Sequence, residues 1–286
     1  SLLPEKHKNA IYKSLDLNST RQFAERNPDT FVRDLEPNQT LIIDEAQKVP
    51  ALFDSVKAVV DEDRRPGKYI LLGSTEFSKL TKIRESLTGR AAKIRLFPLT
   101  LSETKHLPLN TADGLIQSKP RVSRKDLLKY LANGGMPGIF GIRQDLEKKE
   151  ALHDWIDLVA QRDALVFDKI KIEPQLIMRI LAGLAKLEDS SAGALSKYLD
   201  VDLRKVKTHV EVLKTLFVIH QIEPHSLSTG KAQLFFCDVG FLDYFSASFE
   251  KKIKTWVIQE FVAQLSYRQE SNKQLYFYRT AKGSLI

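Results

Sequence analysis

The sequence contains a single cysteine, Cys237, and no long apolar segment. One cysteine cannot form an intrachain disulfide or a cysteine-based zinc site, and this is compatible with a reducing compartment. No apolar run approaches the roughly 18 residues that a membrane helix needs. The N-terminus from Ser1 to Lys8 also lacks the charged-then-apolar order of a signal peptide. We therefore expect a cytoplasmic protein with no membrane partner.

Several kinds of catalytic motif are also missing. The six histidines show no metal-ligand spacing with one another or with Cys237, and a GxSxG nucleophile elbow is absent. What remains is an ordinary globular composition of 286 residues, 43% hydrophobic and 28% charged, which favours about two domains. The net charge of +8 is spread along the chain, so it permits nucleic-acid contact without indicating it.

The most informative stretch is Leu41–Gln47. Its first three residues are apolar and predict a buried strand, and two carboxylates, Asp44 and Glu45, follow at once. Open α/β sheets bind ligands at the carboxyl ends of their strands. In P-loop ATPases the first acid of such a pair holds Mg²⁺, and the second can polarise the attacking water. The alternative is an apolar strand that ends in an acidic turn.

The residues around this stretch predict alternating strands and helices. Strands are expected at Ile11–Leu17 and Tyr69–Leu72, and helices near Thr20, over Asp29–Asp34 and from Pro50. Tyr69–Leu72 is apolar throughout, as strands are in a parallel sheet covered on both faces. The pattern is that of an α/β crossover, in which polar residues follow both strands.

Further stretches follow in the order LIIDEAQKVP, VDEDRRPGKYILLGST, ESLTGRAAKIRLFPLTLSE and NGGMPG. In this combination the sequence resembles the AAA+ P-loop ATPases of bacteria and archaea, in which a winged helix and a restriction-endonuclease-like domain of unknown function follow the ATPase domain. The resemblance implies that Asp44 and Glu45 form the Walker B element, with Asp44 binding Mg²⁺ through ATP in the intact protein. It also implies that Ser74 senses the γ-phosphate and that Arg90 faces a phosphate, on this chain or on a neighbouring subunit. The alternatives are a strand-ending cap for Ser74 and a surface arginine for Arg90.

A Walker A loop, GxxxxGK[ST], is absent. The only Gly-Lys pairs are followed by Tyr69 and Ala232, so neither supplies the hydroxyl that contacts Mg²⁺. In the resembled family this loop precedes the strand at Ile11–Leu17, and we expect the chain to be truncated there, by trimming or by gene decay. ATP and Mg²⁺ are the cofactors that the resemblance implies for an intact member. This chain is expected to bind ATP weakly or not at all.

The centre of the chain predicts helices over Arg121–Leu131, introduced by Ser123, and over Asp145–Phe167. The NGGMPG stretch between them has no preceding apolar strand and no following Lys-Ser/Thr, so a structural turn is favoured over a phosphate loop. The pair Arg162-Asp163 is interpreted as an ion pair. Its alternative role is to reach an ATP site on a neighbouring subunit.

A helix-turn-helix pattern with two strands follows, which predicts a winged helix. Its segments are a helix from Pro174, a helix at Ala194–Leu199, a helix from its Asp202 cap to Phe217, and strands at Ile219–Ile222 and Leu234–Phe236. The outward face of the last helix carries residue types that contact DNA phosphates and base edges: Arg204, Lys205, Lys207 and Thr208. The alternative is a winged helix that serves as a packing module.

The last helix, Trp256–Leu265, carries Glu260 beside its apolar stripe, and Leu275–Arg279 predicts a strand. In the resembled family these elements lead to an Asp and an acid-x-Lys strand that complete a metal-dependent, nuclease-like site. The chain stops at Ile286, before those residues, so we expect truncation at this end too. Glu260 is then either a nuclease-like remnant or a helix-surface carboxylate.

Together these patterns predict an α/β protein with a helical region and a winged helix. The resemblance implies that its parallel sheet is P-loop NTPase-like (AAA+) and lacks its first strand and P-loop, and that an incomplete α/β nuclease-like domain ends the chain. The predicted boundaries are 1–104 for the ATPase core, 105–172 for a helical lid or linker, 173–245 for the winged helix and 246–286 for the nuclease-like part. We expect an AAA+ ATPase fragment coupled to DNA handling, with a homo-oligomer or a partner protein as further partners. The alternatives are a non-enzymatic winged-helix module that binds DNA or protein, and nuclease activity in the full-length protein.

Overall fold

A computed structural model describes residues 9–74, 87, 89–108, 122–161, 164, 172–269, 274–280 and 286. The chain divides into two compact units, the first ending at Lys93 and the second beginning at Ile94. The pair Arg162-Asp163 lies outside the described residues. None of the helices within the described ranges combines the length and the apolarity that crossing a bilayer requires.

The first unit is built on a parallel sheet of three strands in the order β1-β2-β3. Its elements are β1 (Ala10–Ser14), α1 (Asn18–Arg26), α2 (Pro28–Arg33), β2 (Thr40–Asp44), a 3-10 turn (Ala46–Lys48), α3 (Ala51–Glu62) and β3 (Tyr69–Leu71). Strand β2 is central and pairs in parallel with β1 and with β3. The prediction of a parallel α/β sheet with crossover helices is therefore confirmed.

The second unit holds the remaining elements of the described chain. They are α4 (Leu101–Thr104), α5 (Arg124–Asn133), α6 (Pro137–Phe140), α7 (Asp145–Gln161), α8 (Pro174–Lys186), α9 (Ala192–Leu199), α10 (Leu203–Thr215), β4 (Ile219–Pro224), β5 (Gln233–Phe236), α11 (Gly240–Tyr244), α12 (Phe249–Tyr267) and β6 (Tyr276–Phe277). Local cap chemistry explains where several helices begin. Ser123 introduces α5 as predicted, because its hydroxyl accepts from the Asp126 backbone N–H while the Asp126 carboxylate accepts from the Ser123 backbone N–H. The helix therefore begins at Arg124 and not at the predicted Arg121.

The C-terminal elements pack within this same unit. Strand β4 pairs antiparallel with β5 on one side and parallel with β6 on the other, with Glu223 opposite Tyr276. Helix α12 runs from Phe249 to Tyr267 and is longer than the predicted Trp256–Leu265, because the Ser248 side chain caps it by accepting from the Lys251 backbone N–H. Strand β6 therefore shares a sheet with the preceding hairpin, and the described residues from 246 onwards belong to the same unit.

Of the two alternatives for Glu260, the helix-surface carboxylate is wrong, and the nuclease-like remnant stays a prediction. Its side chain is only 7% exposed, and both oxygens are used inside the unit. Oε2 accepts from the Leu101 backbone N–H at 3.1 Å, and Oε1 accepts from the Ser102 hydroxyl at 2.9 Å. A carboxylate at the start of α4 satisfies donors that a helix N-terminus leaves open, so this residue fastens α4 to α12.

The glycine-rich stretch forms a close contact between backbone segments, which supports the structural interpretation of NGGMPG. The Gly135 N–H donates to Asp238 Oδ2 at 2.6 Å, and the Leu99 N–H donates to the Gly135 carbonyl at 2.7 Å. A Cβ on Gly135 would lie 1.9 Å from the Leu99 carbonyl oxygen, and Gly134 adopts φ = 68°. Two consecutive glycines are needed because a side chain would collide at the second position and strain the backbone at the first.

We predict that Gly135→Ala destabilises the chain by about 2–3 kcal/mol, because the added methyl group must displace the Leu99 carbonyl from a packed site. Gly138→Ala is the matched control from the same stretch. It lies in α6 with open space around its Cβ position, so its effect should stay within about 1 kcal/mol. Urea unfolding followed by circular dichroism measures both, and equal stabilities for the two variants would contradict the packing role.

Candidate functional site

Polar side chains gather at the carboxyl edge of the parallel sheet. Because β1, β2 and β3 run in the same direction, the residues that follow them lie at one edge. Ser14 at the end of β1 is paired with Asp44 at the end of β2, and Ser74 comes shortly after β3. The sheet therefore brings together the predicted residues Asp44, Glu45 and Ser74.

Asp44 is held in place by donors to both of its carboxylate oxygens. The Tyr12 hydroxyl, on the neighbouring strand β1, donates to Oδ2, and the Glu45 backbone N–H donates to Oδ1 at 3.1 Å. The hydrogen bond to Asp44, together with burial, raises the pKa of the Tyr12 phenol to about 12, so this group stays a donor at neutral pH. Tyr12 was not among the predicted site residues. The alternation of Ile11–Leu17 is consistent with a strand but does not reveal which carboxylate a side chain will meet.

Glu45 sits in a left-handed backbone conformation, with φ = 56° and ψ = 39°. Few residues other than glycine adopt this region, and such positions cluster at functional sites. The turn is locked because the next N–H, that of Ala46, donates to the Leu72 carbonyl at 2.9 Å. Partial burial raises the pKa of the Glu45 carboxyl, which makes this acid a better proton acceptor than an exposed glutamate.

Gln47 connects the two remaining polar groups of the site. Its Nε2 donates to Glu45 Oε2 at 2.6 Å and to Ser74 Oγ at 3.2 Å. Gln47 was not among the predicted site residues. The available signal was its position two residues after the acid pair in a loop, which is too general to assign a role.

Arg90 lies beside a different partner. Its Nε and Nη2 donate to the two carboxylate oxygens of Asp61 at 2.6 and 3.0 Å, and the pKa of Asp61 is lowered by this contact. Asp61 belongs to the last turn of α3, whereas the loop after β2 leads into the start of that helix. The structure thus does not bring Arg90 to Asp44, and its contact with a phosphate stays a prediction.

The acidic edge fits one half of a magnesium–nucleotide site. Magnesium in such sites is bound by one or two carboxylates together with substrate phosphates, and Asp44 presents an oriented carboxylate of this kind. In P-loop ATPases a GxxxxGK[ST] loop holds the phosphates, and the 286 residues contain no such motif. Among the described residues, no cluster of three or more His, Cys, Asp and Glu side chains could hold a metal without a nucleotide.

Helix α10 presents the second set of predicted residues. Its predicted cap is confirmed, since Asp202 Oδ1 accepts from the Arg204 and Lys205 backbone N–H groups at 2.8 and 3.2 Å. Lys205 forms an ion pair with Glu173 at 2.8 Å, and the Thr208 hydroxyl donates to the Arg204 carbonyl. Arg204 and Lys207 are exposed, and neither forms an ion pair with any residue of the described ranges.

Comparisons with known proteins support an AAA-like P-loop ATPase family for the first part of the chain. Residues 1–105 match the model of an AAA domain, and residues 124–252 match a domain of unknown function. The chain is 25% identical over 195 residues to uncharacterized protein Mb2031c of Mycobacterium bovis and to uncharacterized protein Rv2008c of Mycobacterium tuberculosis. The aligned region covers 68% of this chain and 40% of each relative, so the chain spans less than half the length of these relatives. No solved structure matches it.

We predict that Asp44→Asn lowers the pKa of Tyr12 from about 12 toward its ordinary value of 10.0, because the charge that holds the hydroxyl proton is removed. The folded-state pKa is raised, so the stabilising contact is complete below pH 10 and is lost as the pH rises through 12. Ultraviolet titration of tyrosinate, with Tyr12→Phe subtracted, measures the shift. An unchanged Tyr12 titration in Asp44→Asn would contradict the contact.

Proposed function

We propose that the first unit is the core of an AAA-type ATPase in which Asp44 and Glu45 form the acidic half of the nucleotide site. The observation that carries this proposal is the convergence of Asp44, Glu45 and Ser74 at the carboxyl edge of a parallel sheet, in a segment that an AAA family model matches. In the mycobacterial relatives the function is uncharacterized, so they supply no substrate.

The chemistry of each side chain suggests its role in the proposed site. Asp44, with its carboxylate fixed by Tyr12, is placed to hold a divalent cation. Glu45, with its raised pKa, is placed to accept a proton from water. Ser74 is placed to donate a hydrogen bond to an anion at the same edge. ATP and Mg²⁺, when bound, supply the transferable phosphoryl group and the charge that neutralises it.

The chain lacks a phosphate-cradling loop, so its own residues are not sufficient for tight nucleotide binding. We predict that calorimetric titration with Mg-ATP gives no affinity tighter than about 1 mM, since the backbone donors and the lysine that hold the phosphates are missing. A micromolar dissociation constant would contradict this prediction.

The coding sequence upstream of Ser1 distinguishes an ATPase from a non-enzymatic binding module. A GxxxxGK[ST] motif there supports the ATPase, and a reading frame without one supports the non-enzymatic module.

Arg90 fits this proposal through a neighbouring subunit. Within its own chain it is paired with Asp61, away from Asp44. An arginine donated by a second copy would explain why the resemblance places it near a phosphate. A homo-oligomer is therefore part of the proposal.

We further propose that α8, α9, α10 and the β4–β5 hairpin form a winged helix that contacts DNA. The observation that favours it is the pair of exposed cations, Arg204 and Lys207, near the Asp202-capped start of α10. Such a helix N-terminus commonly enters the major groove, and unpaired cations can release counterions from phosphates. Lys205 is engaged with Glu173 and contributes less in this arrangement.

Replacing both Arg204 and Lys207 by Ala is expected to weaken binding to duplex DNA and to reduce the slope of log K against log salt by about 2, because each phosphate contact contributes about 0.9. Lys205→Ala is the matched control from the same helix. Its slope of log K against log salt should change by less than half of the change in the double variant. Fluorescence anisotropy at several salt concentrations measures all three proteins. Unchanged affinity in the double variant would rule out this surface and leave the packing role.

A further inference from the structure

We propose that Gln47 is a positioning residue that couples Ser74 to Glu45, so that a change in the Ser74 side chain alters the hydrogen bonding of the Glu45 carboxylate. This inference rests on the proposed function of the acidic edge. In the loop after β2, Glu45 is left-handed, and the 3-10 turn Ala46–Lys48 follows it directly. This geometry turns the Gln47 side chain back toward the acid that precedes it, where an extended loop would carry it away.

The amide nitrogen of Gln47 uses both of its hydrogens in this site. One is donated to Glu45 Oε2 at 2.6 Å, and the other to Ser74 Oγ at 3.2 Å. An ionised carboxylate only accepts hydrogen bonds, so the group that faces Glu45 must be the NH₂ end of the amide. The orientation of Gln47 is thereby fixed by chemistry, and the same nitrogen reaches both strand ends.

This arrangement also sets the direction of the Ser74 hydroxyl. A serine hydroxyl has one donor and two acceptor positions. Because Ser74 Oγ accepts from Gln47, its own proton is left to donate, and no acceptor for it is found among the described residues. A hydroxyl that contacts an anion must donate its proton, and the hydrogen bond from Gln47 leaves the Ser74 proton available for this.

The amide oxygen of Gln47 takes no part in this bridge. Gln47 Oε1 is buried and has no hydrogen-bond partner within the described part of the chain. A buried acceptor left unsatisfied is unfavourable, and it is retained here together with two good donor contacts. The side chain is therefore held by the bridge between Glu45 and Ser74, which its nitrogen makes, and not by its oxygen.

The test needs no nucleotide, so its failure is distinguishable from failure of the proposed ATPase function. Carbon-13 NMR records the Glu45 side-chain carboxyl resonance with and without Ser74→Ala. We expect Ser74→Ala to shift this resonance in the otherwise unchanged chain, because Gln47 loses one acceptor and readjusts its bond to Glu45. In the Gln47→Met background, which keeps the length but removes both N–H donors, Ser74→Ala should leave the Glu45 resonance unmoved.

Gln39→Met is the matched control, because Gln39 lies before β2 and its Oε1 accepts from the Glu36 N–H instead. In that background the response of Glu45 to Ser74→Ala should be retained in full. If Gln47→Met does not fold, Gln47→Asn, which is one methylene too short to bridge, is used in its place. An identical response of Glu45 with and without the glutamine would overturn the proposal.

Discussion

The two-sided pairing of β2 is the constraint on which the acidic edge depends. Leu41, Ile42 and Ile43 are fully buried, and the strand is hydrogen-bonded to β1 and β3 along its length. Burying each of these side chains contributes about 1.5–3 kcal/mol, so the register of the strand is strongly fixed. A shift by one residue would carry Thr40 or Asp44 into one of these buried positions and remove Asp44 from its position opposite the end of β1. The site is therefore specified by residues that take no part in its chemistry.

A second constraint governs the segment that enters the second unit. The guanidinium of Arg95 lies over the rings of Phe97 and Phe217, at 4.8 and 4.2 Å from their centroids. Its Nη2 lies 3.4 Å from Nδ1 of His220, whose pKa burial lowers to about 3, so the ring is neutral beside the cation. The Phe97 N–H then donates to the Tyr267 hydroxyl at 2.9 Å.

The next residues of this segment are fixed in the same way. Tyr130 donates to the Leu99 carbonyl, and the same hydroxyl accepts from Gln259 at 2.8 Å. Gln259 belongs to α12, as does Glu260, which holds the start of α4. The AAA match extends to residue 105, yet the residues from Ile94 onwards belong to the second unit. The family boundary and the structural boundary differ because the sequence match follows the chain, while the units follow packing.

How much of this the sequence could predict depends on whether a feature is local. The apolar run of β2, the role of Ser123 in introducing α5 and the Asp202 cap are set by neighbours within a few residues, and each was predicted correctly. The contact of Tyr12 with Asp44 and the burial of Glu260 join residues far apart in the chain. Such contacts depend on which strands and helices pair, and periodicity carries no information about that choice. For the same reason the last strand and β4 could each be recognised from the sequence, while their pairing could not.

Glu45 adds a side-chain contact to the turn that ends β2. A left-handed conformation costs a residue with a side chain roughly 1–2 kcal/mol, and an asparagine or glycine would adopt it at lower cost. The hydrogen bond from Ala46 to the Leu72 carbonyl would form with any residue at position 45, so it does not explain the glutamate. What the glutamate adds is a carboxylate that meets Gln47, and through it Ser74, at the edge where Asp44 also lies. The left-handed residue therefore carries a side chain that takes part in this polar cluster.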